Sequence, residues 1–364
     1  MVSNRVELFD TAPMLSQALP GIKKDISRLL KDVCGRNQMP VSISDKVNEY
    51  YDRCVEYNIV GGKLARARTV CESMRFCSNG YPSVSEDQKK AAVLLGWCVE
   101  ILQAFFLIED DVMDRGETRR GRPCWFKDSE VGIANAINDG LLLEQVLYEL
   151  IEQSPFTKPV SVKAHRKLRD ASMRTVIGQH LDTCPPKSVL EFTRDQWLSV
   201  VRFKTAFYTF HLPCELGILV SGTQFKNSDL SALRHLCLLL GELFQAQDDM
   251  LDCFGDPAVI GKIGRDIEEG KCTWLWYSAL ELTEDDPVTR SKLVELYTSP
   301  DRATDANITQ EVKTIYKKIG IEDKFSHFQS NLRSEIDSCI ASMEASELRN
   351  LGNWLLGSIL GRQK

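Results

Sequence analysis

A chain of 364 residues with 43% hydrophobic content can bury a large core, as one big domain or as two ordinary ones. Its formal net charge of -6 and pI near 5.6 argue against a general nucleic-acid or anionic-membrane binder, because such proteins carry basic faces. Any phosphate must therefore be held by local clusters of cations. The 12 cysteines are scattered from Cys34 to Cys339 with no Cys-x-x-Cys and no His at metal spacing, so they read as reduced core thiols rather than a disulfide framework. The first residues, MVSNRVELFDTAPML, lack a basic start ahead of an apolar run and carry Glu7 and Asp10, which transit peptides avoid. A cytoplasmic location is the expectation.

Three Pro-free tracts, 83–122, 214–256 and 301–364, are rich in Leu, Ala, Glu and Lys at helical spacing and predict long helices. Punctuation falls between them, at Asn79-Gly80-Tyr81-Pro82, Gly116, Gly121-Arg122-Pro123, Pro155 to Pro159, Pro185-Pro186, Gly255-Asp256-Pro257 and Asp285-Asp286-Pro287. The pattern predicts roughly a dozen helices and no run of alternating β-branched residues, hence an all-α fold. No break resembles a linker, so a single domain over 1–364 is expected, with the first ~20 residues loose. Ala91 to Ile108 is long enough to suggest a membrane span, but Glu100 and Gln103 interrupt it and it runs into Glu109-Asp110-Asp111, which predicts a buried helix instead. Pro213 should kink the helix after Lys204 or end it early.

Two acidic motifs carry the chemistry. Asp110-Asp111-Val112-Met113-Asp114 closes a helix predicted from about Ser85 to Met113, where Asp110 and Asp114 project from one face and Asp111 points about 100° away. Carboxylates in a last turn meet the partial negative charge of the helix end, so a cation must compensate. Asp248-Asp249-Met250-Leu251-Asp252 repeats the arrangement on a helix predicted from about Ser228, again with Asp248 and Asp252 four apart. A solvated acidic helix end explains one such motif as well as a metal does; two copies favour the metal. Oxygen-only ligands select a hard ion, magnesium before calcium, because magnesium keeps waters and takes further ligands from substrate phosphates. A di-iron bundle would need Glu-x-x-His, and no His has a Glu three residues before it. Cations for those phosphates are available at Lys63 and Arg66, in Thr118-Arg119-Arg120-Gly121, at Lys204-Thr205, and at Lys262 and Lys271.

FLIEDDVMD, TRRGRPCW, GQHLD, KTAFYTFHLP, FQAQDDMLDCFGDP and GKIG, in this order and spacing between about Tyr51 and Trp274, resemble the eukaryotic farnesyl diphosphate synthases. The resemblance implies a large bundle of long helices around a central cavity, of the isoprenoid synthase type. It implies that Asp110, Asp114 and Asp248, assisted by Asp111 and Asp252, hold three magnesium ions per site. Arg119, Lys204, Gln245, Lys262 and Lys271, with Thr205 beside them, would bind and ionise an allylic diphosphate. Lys63, Arg66, Gln103 and Arg120 would bind isopentenyl diphosphate. Phe105 and Phe106, about one helical turn (~5.4 Å) before Asp110, would cap the product near fifteen carbons, or at the ten of geranyl diphosphate if the pocket is cut off one unit earlier, although a Phe pair is more commonly ordinary core. A homodimer through helix faces is implied, with no nucleic-acid or membrane partner.

The chain departs from the family pattern in places. Ala65 stands where Asn is usual and Arg265 where Thr is usual, and the chain ends Gly361-Arg362-Gln363-Lys364 in place of a strongly basic tail. The thin tail leaves open a terpene synthase that ionises a prenyl diphosphate without condensation; retention of Lys63, Arg66, Gln103 and Arg120 favours condensation. A catalytically silent partner subunit would have lost Asp or Lys ligands, and none is missing.

Overall fold

The computed structural model describes residues 11–78, 84–154, 156–184, 188–260 and 263–361. As expected, these residues are helical almost throughout; the exception to the helical pattern is a hairpin of two-residue strands, Thr118–Arg119 (β1) and Arg122–Pro123 (β2). The backbone groups into two compact units. The first comprises Met1–Leu107, Ile137–Leu168 and Pro213–Thr223, and the second Ile108–Ala136, Arg169–Leu212 and Gln224–Lys364.

In the first unit, α1 (Thr11–Arg36), α2 (Val41–Ile59) and α3 (Ala65–Cys77) precede the long α4 (Glu86–Met113). Leu15, Ile22, Ile26 and Leu29 recur at helical spacing on α1 and are buried, and α1 packs on α2 and α3. Leu15 is 0% exposed and its carbonyl accepts the indole N–H of Trp97 at 3.2 Å. The looseness expected of the first twenty residues therefore does not extend to Thr11–Pro20, which form the anchored start of α1; residues 1–10 lie outside the described residues. The membrane-like α4 is a core helix, with most of its apolar stretch buried. A helix apolar on all sides is stable in water only when surrounded by protein. Within it, Gly96 allows close approach to Ala67 of α3, where a Cβ would lie 3.1 Å from the Ala67 Cα.

The chain continues through α5 (Gly132–Glu152), α6 (Lys158–Thr183) and α7 (Arg194–Val200) into a π-helix, Val201–His211. There the amide of Leu212 reaches back five residues to the Phe207 carbonyl. Pro213, expected to kink or end this helix, does not end it: helical backbone continues as α8 (Leu212–Ser221). The departure from regular α-geometry falls in the eleven residues before the proline, as a change of helical pitch.

In the second unit α9 (Asn227–Phe254) packs against the π-helix and against α12 (Trp274–Leu282), α15 (Ile321–Ser342) and α16 (Ser346–Leu360). The short α10 (Pro257–Ile260) and α11 (Asp266–Glu269), then α13 (Pro287–Thr298) and α14 (Ala306–Lys318), complete the order. Beneath them lies an aromatic core that includes Trp197, Trp274, Trp276, Tyr297 and Tyr316, with Trp276 and Tyr297 stacked at 3.8 Å. Each such large side chain contributes on the order of 2–3 kcal/mol by leaving water. The Pro-free tracts are not single helices. Gly222 at φ 75 lies between α8 and α9, and Gly320 at φ 79 separates α14 from α15. A left-handed glycine stops a helix as effectively as proline does.

Two glycines set the π-helix in place. A Cβ on Gly178 of α6 would lie 2.5 Å from the Lys204 Cα, and one on Gly241 of α9 would lie 3.0 Å from the Ala206 Cα. Gly178 meets main chain directly, and Gly241 meets the Ala206 methyl group as well as its backbone. Gly178→Ala is expected to lower stability by about 1–3 kcal/mol in urea unfolding, because the neighbour is main chain and cannot give way. Gly357→Ala, with nothing within 4 Å of the new Cβ, is the control and should be neutral or stabilising. Equal effects at the two positions would refute the close-approach account.

Candidate active site

The second unit gathers acids and bases from four parts of the chain. The last turns of α4 supply Asp110, Asp111 and Asp114, the end of α6 supplies Gln179 and Asp182, and the π-helix supplies Lys204. Lys271 enters from the turn after α11, where Gly270 adopts φ 69. Carboxylate oxygens of Asp110, Asp114 and Asp182 lie within 4.8 Å of one another. Lys204 bridges Asp110 (2.9 Å) and Asp182 (2.6 Å), and Lys271 bridges Asp114 (2.9 Å) and Asp182 (2.8 Å). Gln179 donates to Asp110 at 2.9 Å.

Arg119 is aimed by the hairpin. Arg120 and Gly121, at φ 54 and 73, make a two-residue turn with both central residues in the left-handed region, the type I′ pattern that suits tight hairpins. A positive φ is strained for Arg120, and such strain is held where the surroundings demand it. The turn folds Arg119 back onto α4, where Nε and Nη2 both donate to Asp111 Oδ1, at 3.0 and 2.5 Å, with Asp110 at 3.5 Å. Asp111 is thereby spent on Arg119 and does not belong to the three-carboxylate group.

The electrostatics follow from burial opposed by these partners. Burial would raise Asp110, but Lys204, then Arg119 and Lys271, hold its carboxyl well below the usual range. Asp182 is likewise lowered, because Lys204 and Lys271 outweigh its desolvation. Lys204 is lifted well above its ordinary value by Asp110, Asp182 and Asp114 despite burial. Asp114 remains raised by burial and by Asp110. Glu269 is pushed up to about 7 by burial and then by Asp114. Asp110, Asp111, Asp114 and Asp182 set four formal negative charges against the three positive charges of Lys204, Lys271 and Arg119. Hard oxygen donors at bridging distance with uncompensated negative charge fit a small divalent cation.

The second motif divides between two roles. Asp248 and Asp252 are half-buried on α9 and outside the three-carboxylate group among the described residues; Asp252 accepts the Asp266 amide at 3.0 Å. Asp249 turns inward at 3% exposure and accepts from Trp197 Nε1 (3.1 Å), the Trp274 amide (2.7 Å) and Gln245 Nε2 (2.9 Å). Burial pushes its carboxyl up to about 7, with those donors pulling the other way. Thr205 donates to Gln245 Oε1 at 3.1 Å.

Of the other residues singled out in the sequence, Lys63 is exposed just before α3, Arg66 is buried in its first turn and Gln103 is half-buried on α4, all in the first unit. Phe105 and Phe106 stand there too, ring centroids 4.9 Å apart. Lys262 lies outside the described residues, as do Arg362 to Lys364.

Sequence reasoning assigned no role to Gln179, Asp182, Glu100, Asp249 or Trp197. For the first two a signal existed, because Gln179 and Asp182 are three apart and share a helix face within the GQHLD motif. Glu100 is an acid inside an apolar helix, 4% exposed, and its Oε1 accepts the amides of Arg66 (3.1 Å) and Ala67 (3.0 Å). It caps α3 from a distant helix, satisfying donors that no side chain at the N-cap satisfies.

Carboxylates grouped among lysines and an arginine on helices could hold a hard divalent cation and, through it, a phosphate. Residues 48–318 match the polyprenyl synthetase family, and the chain belongs to it. It is 35% identical over 320 residues to farnesyl pyrophosphate synthase 1 of Lupinus albus, across 87% of this chain and 91% of that one. It is also 35% identical over 353 residues to the farnesyl pyrophosphate synthase of Kluyveromyces lactis, across 95% and 94%. The structure is similar to that of Trypanosoma brucei farnesyl diphosphate synthase complexed with risedronate, with a TM-score of 0.85 and 27% identity over 97% of this chain and 99% of that one.

Glu100→Leu should cost about 1–3 kcal/mol in urea unfolding, since it strands two buried amides. Glu100→Gln keeps an acceptor and should cost less than the leucine variant. An unchanged unfolding midpoint for Glu100→Leu would rule out the capping role.

Proposed function

We propose that this protein is a farnesyl diphosphate synthase-type prenyltransferase that condenses dimethylallyl or geranyl diphosphate with isopentenyl diphosphate, head to tail (1'-4). One observation carries the reading: Asp110, Asp114 and Asp182 interlock with Lys204, Lys271 and Arg119 in a chain similar over most of its length to proteins named farnesyl pyrophosphate synthase. Asp110, Asp114 and Asp182 would hold magnesium, and Asp248 and Asp252 supply further oxygens for a set of three ions. When bound, the metal draws electron density from the diphosphate oxygens and so makes pyrophosphate a better leaving group.

The chain's own cations do the rest of the work on charge. Lys204, Lys271 and Arg119 pair with carboxylates in this structure, and each can exchange such a partner for a diphosphate oxygen. Lys262, Thr205 and Gln245 join them. The C1–O bond breaks with its electron pair leaving on pyrophosphate, and preorganised ammonium and guanidinium groups lower that barrier because the negative charge grows in front of them. The C3=C4 double bond of isopentenyl diphosphate then attacks C1 of the allylic cation. Loss of a C2 proton to the departing pyrophosphate forms the new double bond. Lys63, Arg66, Gln103 and Arg120 are assigned to the isopentenyl diphosphate. Phe105 and Phe106, which precede Asp110 on α4, limit the product to fifteen carbons.

The protein acts as a homodimer in this reading. Met173, Val176, Ile177 and Leu181 recur at helical spacing on α6 and are 63%, 52%, 43% and 40% exposed, an apolar stripe suited to a second copy. The cysteines are free, which fits a reducing cytoplasm.

Purified protein with magnesium, geranyl diphosphate and labelled isopentenyl diphosphate should place label in a farnesyl product. Removal of the metal with EDTA should abolish it. Hydrocarbon or alcohol from farnesyl diphosphate alone, with no labelled product in the first tube, would replace this reading with a terpene synthase. Ile177→Glu should shift sedimentation from dimer to monomer; a wild-type profile would remove α6 from the interface.

A further inference from the structure

A line of hydrogen bonds runs from the aromatic core to the residue beside Lys204. The indole N–H of Trp197 donates to Asp249 Oδ2 at 3.1 Å, and Asp249 Oδ1 accepts from Gln245 Nε2 at 2.9 Å. Gln245 Oε1 in turn accepts the Thr205 hydroxyl at 3.1 Å. An amide side chain has two orientations of similar shape, one presenting NH2 and the other C=O. Asp249 Oδ2 takes two N–H groups, from Trp197 and from the Trp274 amide, and Oδ1 takes Gln245 Nε2, which leaves Gln245 Oε1 facing Thr205. The Thr205 proton is then committed to Gln245, while the second Nε2 hydrogen is the donor Gln245 has left to offer a ligand.

Trp197 is well placed to hold that carboxylate. Its ring is 1% exposed and packs at 5.6 Å from Tyr277 and 6.3 Å from Phe328. A capping box at the start of α7, in which Thr193 and Gln196 exchange side-chain and backbone hydrogen bonds, fixes the turn from which it projects. The direction of its N–H is therefore set by packing.

We propose that Trp197 is a positioning residue of the ionisation site: through Asp249 it orients Gln245 and Thr205, and so selects the donors that meet the allylic diphosphate. This rests on the reading above that Gln245 and Thr205 face that diphosphate. Aromatic packing alone would make Trp197 matter for stability and leave turnover per folded molecule untouched. A positioning role adds a kinetic signature.

The test removes the Trp197 N–H. Trp197→Phe is the simple variant. Should it fold poorly, the benzothienyl analogue of tryptophan at position 197 substitutes sulfur for N–H at nearly the same shape. Loss of the Trp197 to Asp249 hydrogen bond should lower kcat about tenfold, with KM for isopentenyl diphosphate unchanged. In a Gln245→Ala background the same replacement should cost no further kcat, because the two act in one line. Undiminished kcat in the analogue-bearing protein, or equal losses in both backgrounds, would overturn the proposal. Gln245→Ala alone turning over at the wild-type rate would instead remove Gln245 as a diphosphate contact, and the proposal would fall with it.

Discussion

Like charges forced together at the edge of a protein interior are the constraint on which this structure depends. Asp110, Asp114 and Asp182 bring carboxylate oxygens within 4.8 Å of one another, a grouping that repels itself and resists desolvation. Two ammonium groups and a guanidinium make it tolerable: Lys204 and Lys271 each bridge two of the carboxylates, and Arg119 neutralises Asp111 while leaning on Asp110. Four carboxylates, Asp111 included, against these three cations leave the neutralisation incomplete. That remaining negative charge is what a divalent cation would offset, and in the proposed reaction an arriving diphosphate competes with the carboxylates for the same lysines.

Bringing such groups together requires backbone that cannot drift. Gly178 and Gly241 let α6 and α9 approach the π-helix closely at Lys204 and at Ala206, the residues on either side of Thr205. A π-helix widens the turn and changes which side chains share a face, so Lys204 and Thr205 reach different partners than a regular α-helix would give them. The type I′ turn at Arg120 and Gly121 does the same for Arg119. Below these devices the Trp and Tyr core supplies the rigidity, and Asp249 ties that core to Gln245 by hydrogen bonds. Packing and chemistry thus meet at one carboxylate, the middle residue of the second acidic motif.

Much of this was legible in the residues. Helix-compatible composition and the lack of alternating strands predicted an all-helical fold, and the helices carrying the two acidic motifs begin within a residue of where the pattern placed them. The i, i+4 spacing placed Asp110 with Asp114 because a helical repeat is a local property. Asp182 went without a role for a physical reason: a single acid on a helix reads as solvated until the fold shows two lysines from remote segments meeting it. Glu100 and Asp249 were similarly opaque, since whether an acid caps a helix, stabilises an indole or binds a metal depends on what lies opposite.

By itself, then, the sequence determined helical class, the family motifs and the pairs of carboxylates that share a helix face, all of which follow from spacing along one element. Tertiary structure alone decided that Asp182 completes the carboxylate group, that Asp111 is given to Arg119, and that Asp249 faces inward. Each of those outcomes turns on a distance between segments far apart in the chain, and Coulomb and hydrogen-bond energies are set by such distances.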